Sequence, residues 1–376
     1  MLIEELSVYH VSMPLIAPWK TSFSVETSID TVLVRLRSGG VEGWGEAAPY
    51  AVPQFCPEWA AGAFLLIRDV FAPRLLGREI ESGAALQQHL APFKGNWFAK
   101  AAIDTAWWDL AARIEEKPLW RMIGGTAPDV AVGADIPVQD STEALHESLR
   151  AARDGGFSRT KLKFRPDSGY EMVASVREAF PDMPLHIDCN AGFTLDDMAL
   201  FRRLDGLGLA MIEQPLGWQD LLDHAKLQDA LETPICLDET ITSPQIARQA
   251  IDSGAARWIN IKHGRVGGLT NALEIQRYCM EAGVPCWVGG MLESNVGQGI
   301  SLAFATLPGM AYAADIFPAG RLYDQDLATP DITLSAPGTI RAPDRPGHGF
   351  VPDGDRLLAC TVAAAEDLRA EARPGT

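Results

Sequence analysis

From Val130 onward the chain repeats one pattern. A short apolar run rich in β-branched residues is followed by a polar turn, an amphipathic stretch and then the next apolar run. The candidate strands are VGADIPV, TKLKF, PLHIDCN, LAMIEQP, PICLDET, RWINIK, PCWVGG and YAADIF. Segments such as WQDLLDHAKLQDAL and SPQIARQAIDSG separate them. The second of these offers Ser243 as an N-cap, Pro244 at the first helical position and Gly254 as a stop. Strict alternation of this kind requires parallel strands joined by helical crossovers. Eight such strands in roughly 200 residues match a TIM-type barrel.

The repeat also dictates where chemistry is built. Lys163, Asp188, Glu213, Asp238 and Lys262 fall at the C-terminal ends of five successive candidate strands, with gaps of 25, 25, 25 and 24 residues. One βα unit separates each from the next, and the C-terminal rim of such a barrel is where its active sites lie. Any one of these charges reads as a helix cap or a solvated strand end. Five in register converge on one cup.

Asp188, Glu213 and Asp238 form an all-oxygen set on adjacent strands, with no His or Cys at equivalent positions. Such a set suits a hard cation, and one open to substrate suits Mg²⁺ better than a closed Ca²⁺ cage. Cys189 and Cys236 are expected to be packing residues. Lys163 and Lys262 stand four strands apart in a ring of eight, so a substrate over the metal would offer one face to each. Lys161 points to the same side as Lys163, one layer deeper, and is expected to help lower its pKa toward the working range.

The rest of the chain differs in texture. Residues 1 to about 60 alternate like strands: Val32, Val34 and Leu36 share a face, and SGG turns the chain back into VEGWGEA. Residues 60 to about 124 carry helical spacing, and the tryptophans of AKAAIDTAWWDLAARIEEKPL are expected in the core.

With 32 basic and 49 acidic residues the net charge is −17, so the electrostatic footprint of a nucleic-acid binder is missing. The start, MLIEELSVYH, has neither a cationic region nor an apolar one, and no apolar run is long enough to span a membrane. A cytoplasmic protein is expected, with small molecules and metal cations as its partners and no contact with nucleic acid or membrane. The six cysteines show no C-x-x-C spacing and are expected to be reduced. The seven histidines are scattered, and the first strand has no H-x-H, which argues against a metal-dependent barrel hydrolase.

The motifs KLK, DCN, EQP, LDE and NIK, in this order, resemble the enolase superfamily and its muconate lactonizing subgroup. APWKTSFS, PICLDETI, NIKHGRVGG and WVGGMLESNVGQG followed by ATLPG are similar to o-succinylbenzoate synthases and N-succinylamino acid racemases. The resemblance covers nearly the whole chain. It implies an α/β protein with an α+β capping domain over residues 1–124, a (β/α)7β barrel over 125–320 and a C-terminal segment, 321–376, that returns to the cap. It also implies Mg²⁺, with Mn²⁺ as a substitute, held by Asp188, Glu213 and Asp238. Lys163 and Lys262 become the acid/base pair, with Lys161 beside the first and Glu239 supporting the second. Substrate contacts fall to Trp19 and Phe23 of an N-terminal lid and to Asn190, His263, Gly290, Met291 and Glu293. Trp19 also reads as a surface aromatic beside Pro18, and Glu293 as a turn cap. His263 replaces the usual proline, and Ser294, Asn295 and Gln298 depart from a Thr-Gly-like pair and an Arg. These changes bear on substrate identity.

The resemblance implies proton abstraction α to a carboxylate, leading to racemisation of an N-acyl amino acid, to dehydration as in o-succinylbenzoate synthesis, or to both. Dipeptide epimerisation and cycloisomerisation are the alternatives within the superfamily. A homo-oligomer is expected.

Overall fold

The computed structural model describes residues 1–21 and 24–370 of the 376. Strands β1 (Glu5–Lys20), β2 (Val25–Ser38) and β3 (Val41–Ala47) form an antiparallel sheet, and the C-terminal strand Thr361–Arg369 adds to the outer edge of β1. The β2–β3 turn is closed by Gly39 and Gly40 at φ of 56° and 79°, a left-handed region that glycine enters without a Cβ clash. Val32 and Val34 are buried as expected, but Leu33 between them is buried too. β2 lies between β1 and β3 and is covered on both faces.

Helix α1 (Trp97–Ile114) packs on this sheet at unusually close range. A Cβ at Gly45 would sit 2.3 Å from the Ala106 backbone nitrogen, so only glycine lets helix and sheet meet there. Glu58 satisfies the open N-terminus of α1: its Oε2 accepts from the N–H groups of Phe98 and Ala99 at 3.0 and 3.2 Å. Trp107 is buried in this core, and Trp108 donates from Nε1 to Thr270 Oγ1 at 2.9 Å.

The second body is a curled parallel sheet of seven strands. These are β4 (Ala134–Ile136), β5 (Thr160–Lys163), β6 (Leu185–Asp188), β7 (Ile212–Glu213), β8 (Ile235–Leu237), β9 (Trp258–Ile261) and β10 (Cys286–Val288), each paired with its neighbour in chain order. A helix follows each strand: α2 (Thr142–Asp154), α3 (Gly169–Ala179), α4 (Met198–Asp205), α5 (Leu222–Asp229), α6 (Pro244–Asp252), α7 (Leu269–Ala282) and α8 (Asn295–Ala305). Ser243 caps α6 as its sequence suggests, accepting from Ile246 N at 3.3 Å, and Gly254 takes a φ of 72° just beyond the end.

The eighth expected strand, YAADIF, is not a regular strand. Together with the preceding Ala311 it bonds to both edges of the sheet through single backbone contacts: Ala311 N to Cys286 O, Asp315 N to Val288 O and Gly133 N to Ala314 O, at 2.9, 2.9 and 3.0 Å. This places Asp315 beside the first and seventh strands. No helix among the described residues is long and apolar enough to cross a membrane.

Glu46, at the end of β3, ties the two bodies together. Its carboxylate accepts from Ser294 Oγ at 2.5 Å, Ser294 N at 3.1 Å and Gly297 N at 2.9 Å, at the start of α8. A buried anion at a helix N-terminus is favourable because it meets the unpaired N–H groups and the positive end of the dipole.

Candidate active site

The five charged strand ends meet at the mouth of the curled sheet. Lys163 and Asp188 pair directly in register, as do Asp188 and Glu213, while Asp238 and Lys262 follow the last residues of β8 and β9. Lys163 Nζ donates to Asp188 Oδ2 at 2.7 Å. On the opposite side, Lys262 Nζ stands 2.8 Å from Asp238 Oδ2, an ion pair outside hydrogen-bond geometry. Both lysines line one small cavity of about 30 Å³, with Lys161, Asn190, Asp135 and Asp315 in its wall.

Lys161 has a different setting from the one its spacing suggests. Its Nζ lies 2.5 Å from Asp315 Oδ2, 3.2 Å from Asp135 Oδ2, and 3.9 and 4.0 Å from Asp188 and Glu213. Burial pulls this ammonium down, but the carboxylates around it win and hold it well above the ordinary lysine value. Burial likewise pulls Lys163 down. Asp188 and Asp135 outweigh both burial and the repulsion of Lys161, so Lys163 sits above its ordinary value. Lys161 does act downward on Lys163, as its spacing suggests, but the net position does not fall toward the working range because Asp188 and Asp135 outweigh it.

The three rim carboxylates stand on neighbouring strand ends, yet each is held by its own partners. Asp188 takes Lys163 and the Asn190 N–H at 3.0 Å; Glu213 takes Asn260 Nδ2 at 2.6 Å and faces His186 Nε2 at 3.2 Å; Asp238 takes Arg265. Burial pushes Glu213 up, but Lys161 and His186 bring it well below the ordinary carboxylate value. Among the described residues no three His, Cys, Asp or Glu side chains are gathered closely enough to hold a metal ion as they stand. Their chemistry nevertheless fits a hard divalent cation, being anionic, all-oxygen and buried. Asp238 Oδ2 is a buried oxygen that accepts no hydrogen bond.

Glu239 faces the site, because β8 ends at Leu237 and strand alternation no longer governs it. Its Oε1 accepts from Asn190 Nδ2 at 3.2 Å. Burial pushes it up to about 7, with Asp188 adding to the rise and Lys262 opposing it.

The expected substrate contacts divide. Trp19 is buried at the mouth, edge-on to Phe317 at 6.2 Å, so the scattered-surface reading does not hold. Asn190 and Gly290 line the cavity; a Cβ at Gly290 would meet Asp315 O at 2.6 Å. Phe23 lies outside the described residues. Three others are turned elsewhere. His263 is buried against Gly297 O at 3.2 Å, and burial pulls it down to about 4, so it is a neutral packing group. Glu293 accepts from Met291 N at 2.8 Å, making the turn cap its sequence allowed, and Leu292 rather than Met291 lines the cavity.

Sequence reasoning passed over Asp135, Asp315, Tyr50 and Phe55, all of which line the cavity. The two aspartates carry a usable signal, since each is the one charge in its apolar run, VGADIPV or YAADIF. Tyr50 and Phe55 come from the loop after β3, which carries no periodic pattern.

A family model described as the mandelate racemase/muconate lactonizing enzyme N-terminal domain matches residues 3–124, and one described as enolase C-terminal domain-like matches residues 144–356. The chain is 41% identical to the N-succinylamino acid racemase of Thermus thermophilus over 93% of this chain and 94% of that protein. It is 39% identical to the o-succinylbenzoate synthase of Geobacillus kaustophilus, covering 94% of each. The structure of a superfamily member from Listeria innocua superposes with a TM-score of 0.94 at 36% identity, over 98% of this chain and 99% of that one.

Proposed function

Because the chain belongs to the enolase superfamily, in its mandelate racemase/muconate lactonizing enzyme family, we propose that it removes the α-proton of a small carboxylate substrate to give an enediolate. The outcome is racemisation of an N-acyl amino acid, the N-succinyl derivatives foremost, or o-succinylbenzoate synthase-type dehydration, or both. Family membership and the named activities of its relatives make it an enzyme.

One observation carries this reading. Lys163 and Lys262 end strands four places apart, line the same cavity, and each faces a carboxylate on the neighbouring strand end. A substrate between them presents opposite faces of its α-carbon to two lysine side chains, the abstracting one a neutral amine and the other an ammonium. One lysine takes the proton from its face. For racemisation the other delivers a proton to the opposite face; for dehydration the first lysine passes the proton it took to the β-hydroxyl, which departs as water, while the second need only hold negative charge.

Asp188, Glu213 and Asp238 are the residues that would hold Mg²⁺, or Mn²⁺ in its place. When bound, the ion supplies positive charge to the substrate carboxylate and makes its α-proton more acidic. Lys161 adds fixed charge below, and Asn190 joins Glu239 to the rim. Trp19, Phe55 and Phe317 exclude water from the mouth, which strengthens every electrostatic contact inside it.

Incubation with N-succinyl amino acids in D₂O, followed by NMR, tests the reading. Deuterium should enter the α-position. A protein that exchanges no α-proton of N-acyl amino acids, dipeptides or 2-succinyl-6-hydroxycyclohexadiene carboxylate is not this enzyme, and hydrolysis without exchange would mark a barrel hydrolase instead.

A further inference from the structure

Asp135 lies in β4, opposite Lys161 in the β4–β5 register, and its side chain is buried in the cavity wall. Its two oxygens differ. Oδ2 faces Lys161 Nζ at 3.2 Å, while Oδ1 is buried and accepts no hydrogen bond among the described residues. Asp315, the other carboxylate of the cavity wall, has no such vacancy: Arg159 takes one oxygen and Lys161 the other. Asn190 Oδ1 is also unpartnered, but it is a neutral acceptor beside Asp188, on the side where the substrate carboxylate belongs.

A buried carboxylate oxygen without a donor is unfavourable, because its hydration is lost and nothing replaces it. A ligand that brings an N–H to it removes that deficit. A ligand that brings an oxygen sets lone pair against charge. Asp135 sits one layer below Lys163 and on the neighbouring strand, so it is placed to meet the substituent next to the carbon held between the two lysines.

We propose that Asp135 is a specificity-determining residue whose free Oδ1 accepts the amide N–H borne by the substrate's α-carbon. This rests on the N-acyl amino acid reading above and narrows it. The amide is selected by its donor, and an isosteric ester is rejected because it has none. Sites built around a hydrogen-bonded substrate group discriminate more sharply than apolar pockets do, since the unpaired polar group stays behind.

Calorimetric binding of N-succinylglycine and of O-succinylglycolate, in which oxygen replaces the N–H, tests this on the magnesium-supplied protein. The amide should bind about 10- to 100-fold more tightly. In Asp135→Asn, whose amide can offer either its oxygen to the N–H or its NH₂ to the ester, the ratio should fall toward one. Equal affinities in the unaltered protein overturn the proposal, and so does a preference that survives Asp135→Asn; in both cases the ligands still bind and the N-acyl reading stands. If neither ligand binds, the proposal and that reading fall together. Asp135→Ser, smaller and uncharged, gives the same answer should the Asn protein fail to fold.

Discussion

The ring of Phe55 lies over the Lys262 ammonium, with Nζ 4.9 Å from the ring centroid. A side chain from the cap thereby holds a lysine of the barrel, and the two bodies share one site. The contact is shielded from water, where a cation over an aromatic face contributes about 2 kcal/mol. Phe55→Ala should lower kcat/KM by about 30-fold through loss of this positioning. The fold should be retained, as judged by circular dichroism and by unchanged divalent-cation affinity. Unaltered kinetics would mean that Lys262 is held by Asp238 alone.

Asp238 serves two cations, Lys262 and Arg265, in a buried setting. Asp238→Asn should abolish turnover and weaken Mg²⁺ binding by calorimetry. It should also destabilise the chain by about 3 kcal/mol, because two buried cations lose their counter-charge. Saturating Mg²⁺, at 100 times its dissociation constant, should stabilise the unaltered protein by about 2.7 kcal/mol and the variant hardly at all. Thermal melts with the ion and with a chelator compare the two directly.

Lys163→Ala and Lys262→Ala should each lose racemisation, which needs abstraction on one face and delivery on the other. Each variant should still exchange the α-proton of one enantiomer with deuterium, and the two should prefer opposite enantiomers. NMR of the separate enantiomers in D₂O reads this out. Full racemase activity in Lys262→Ala would end the two-base mechanism. If the unaltered protein shows only dehydration and this variant loses all exchange, Lys262 is a cation holding the enediolate.

Glu58 gives a pH signature far from the lysines. Burial pushes its carboxyl from 4.5 to about 7, against the opposing N–H groups of Phe98 and Ala99. The folded chain thus keeps a proton that the unfolded chain releases. The associated stability is fully present below pH 4.5 and is lost as pH rises through about 7, amounting to about 3 kcal/mol. Glu58→Gln should remove that part of the slope between pH 4.5 and 7 in urea titrations, since Gln still accepts from the helix N–H groups. Parallel pH profiles for the two proteins would show that Glu58 is ionised throughout.

The ring of charged strand ends was legible before any coordinates. Parallel βα units have nearly constant length, so spacings of 25, 25, 25 and 24 residues place Lys163, Asp188, Glu213, Asp238 and Lys262 on one rim whatever the details of packing. The N-cap at Ser243, the β2–β3 hairpin and the buried Trp107 of α1 were legible as well. Each depends on neighbours within a few residues.

What the sequence could not determine are the pairings made when the sheet curls. Lys161 meets Asp315 across 154 residues of chain and is raised by it and by Asp135, while Asp188 and Asp135 raise Lys163 where spacing suggested a fall. Phe55 reaches Lys262 from the cap, and His263 turns away to Gly297 because the chain after β9 packs against the start of α8. Local periodicity determined which charged strand ends reach the mouth. Only the closed tertiary structure decided which charge faces which, because Coulomb energy and desolvation depend on distances across the fold that no stretch of sequence encodes.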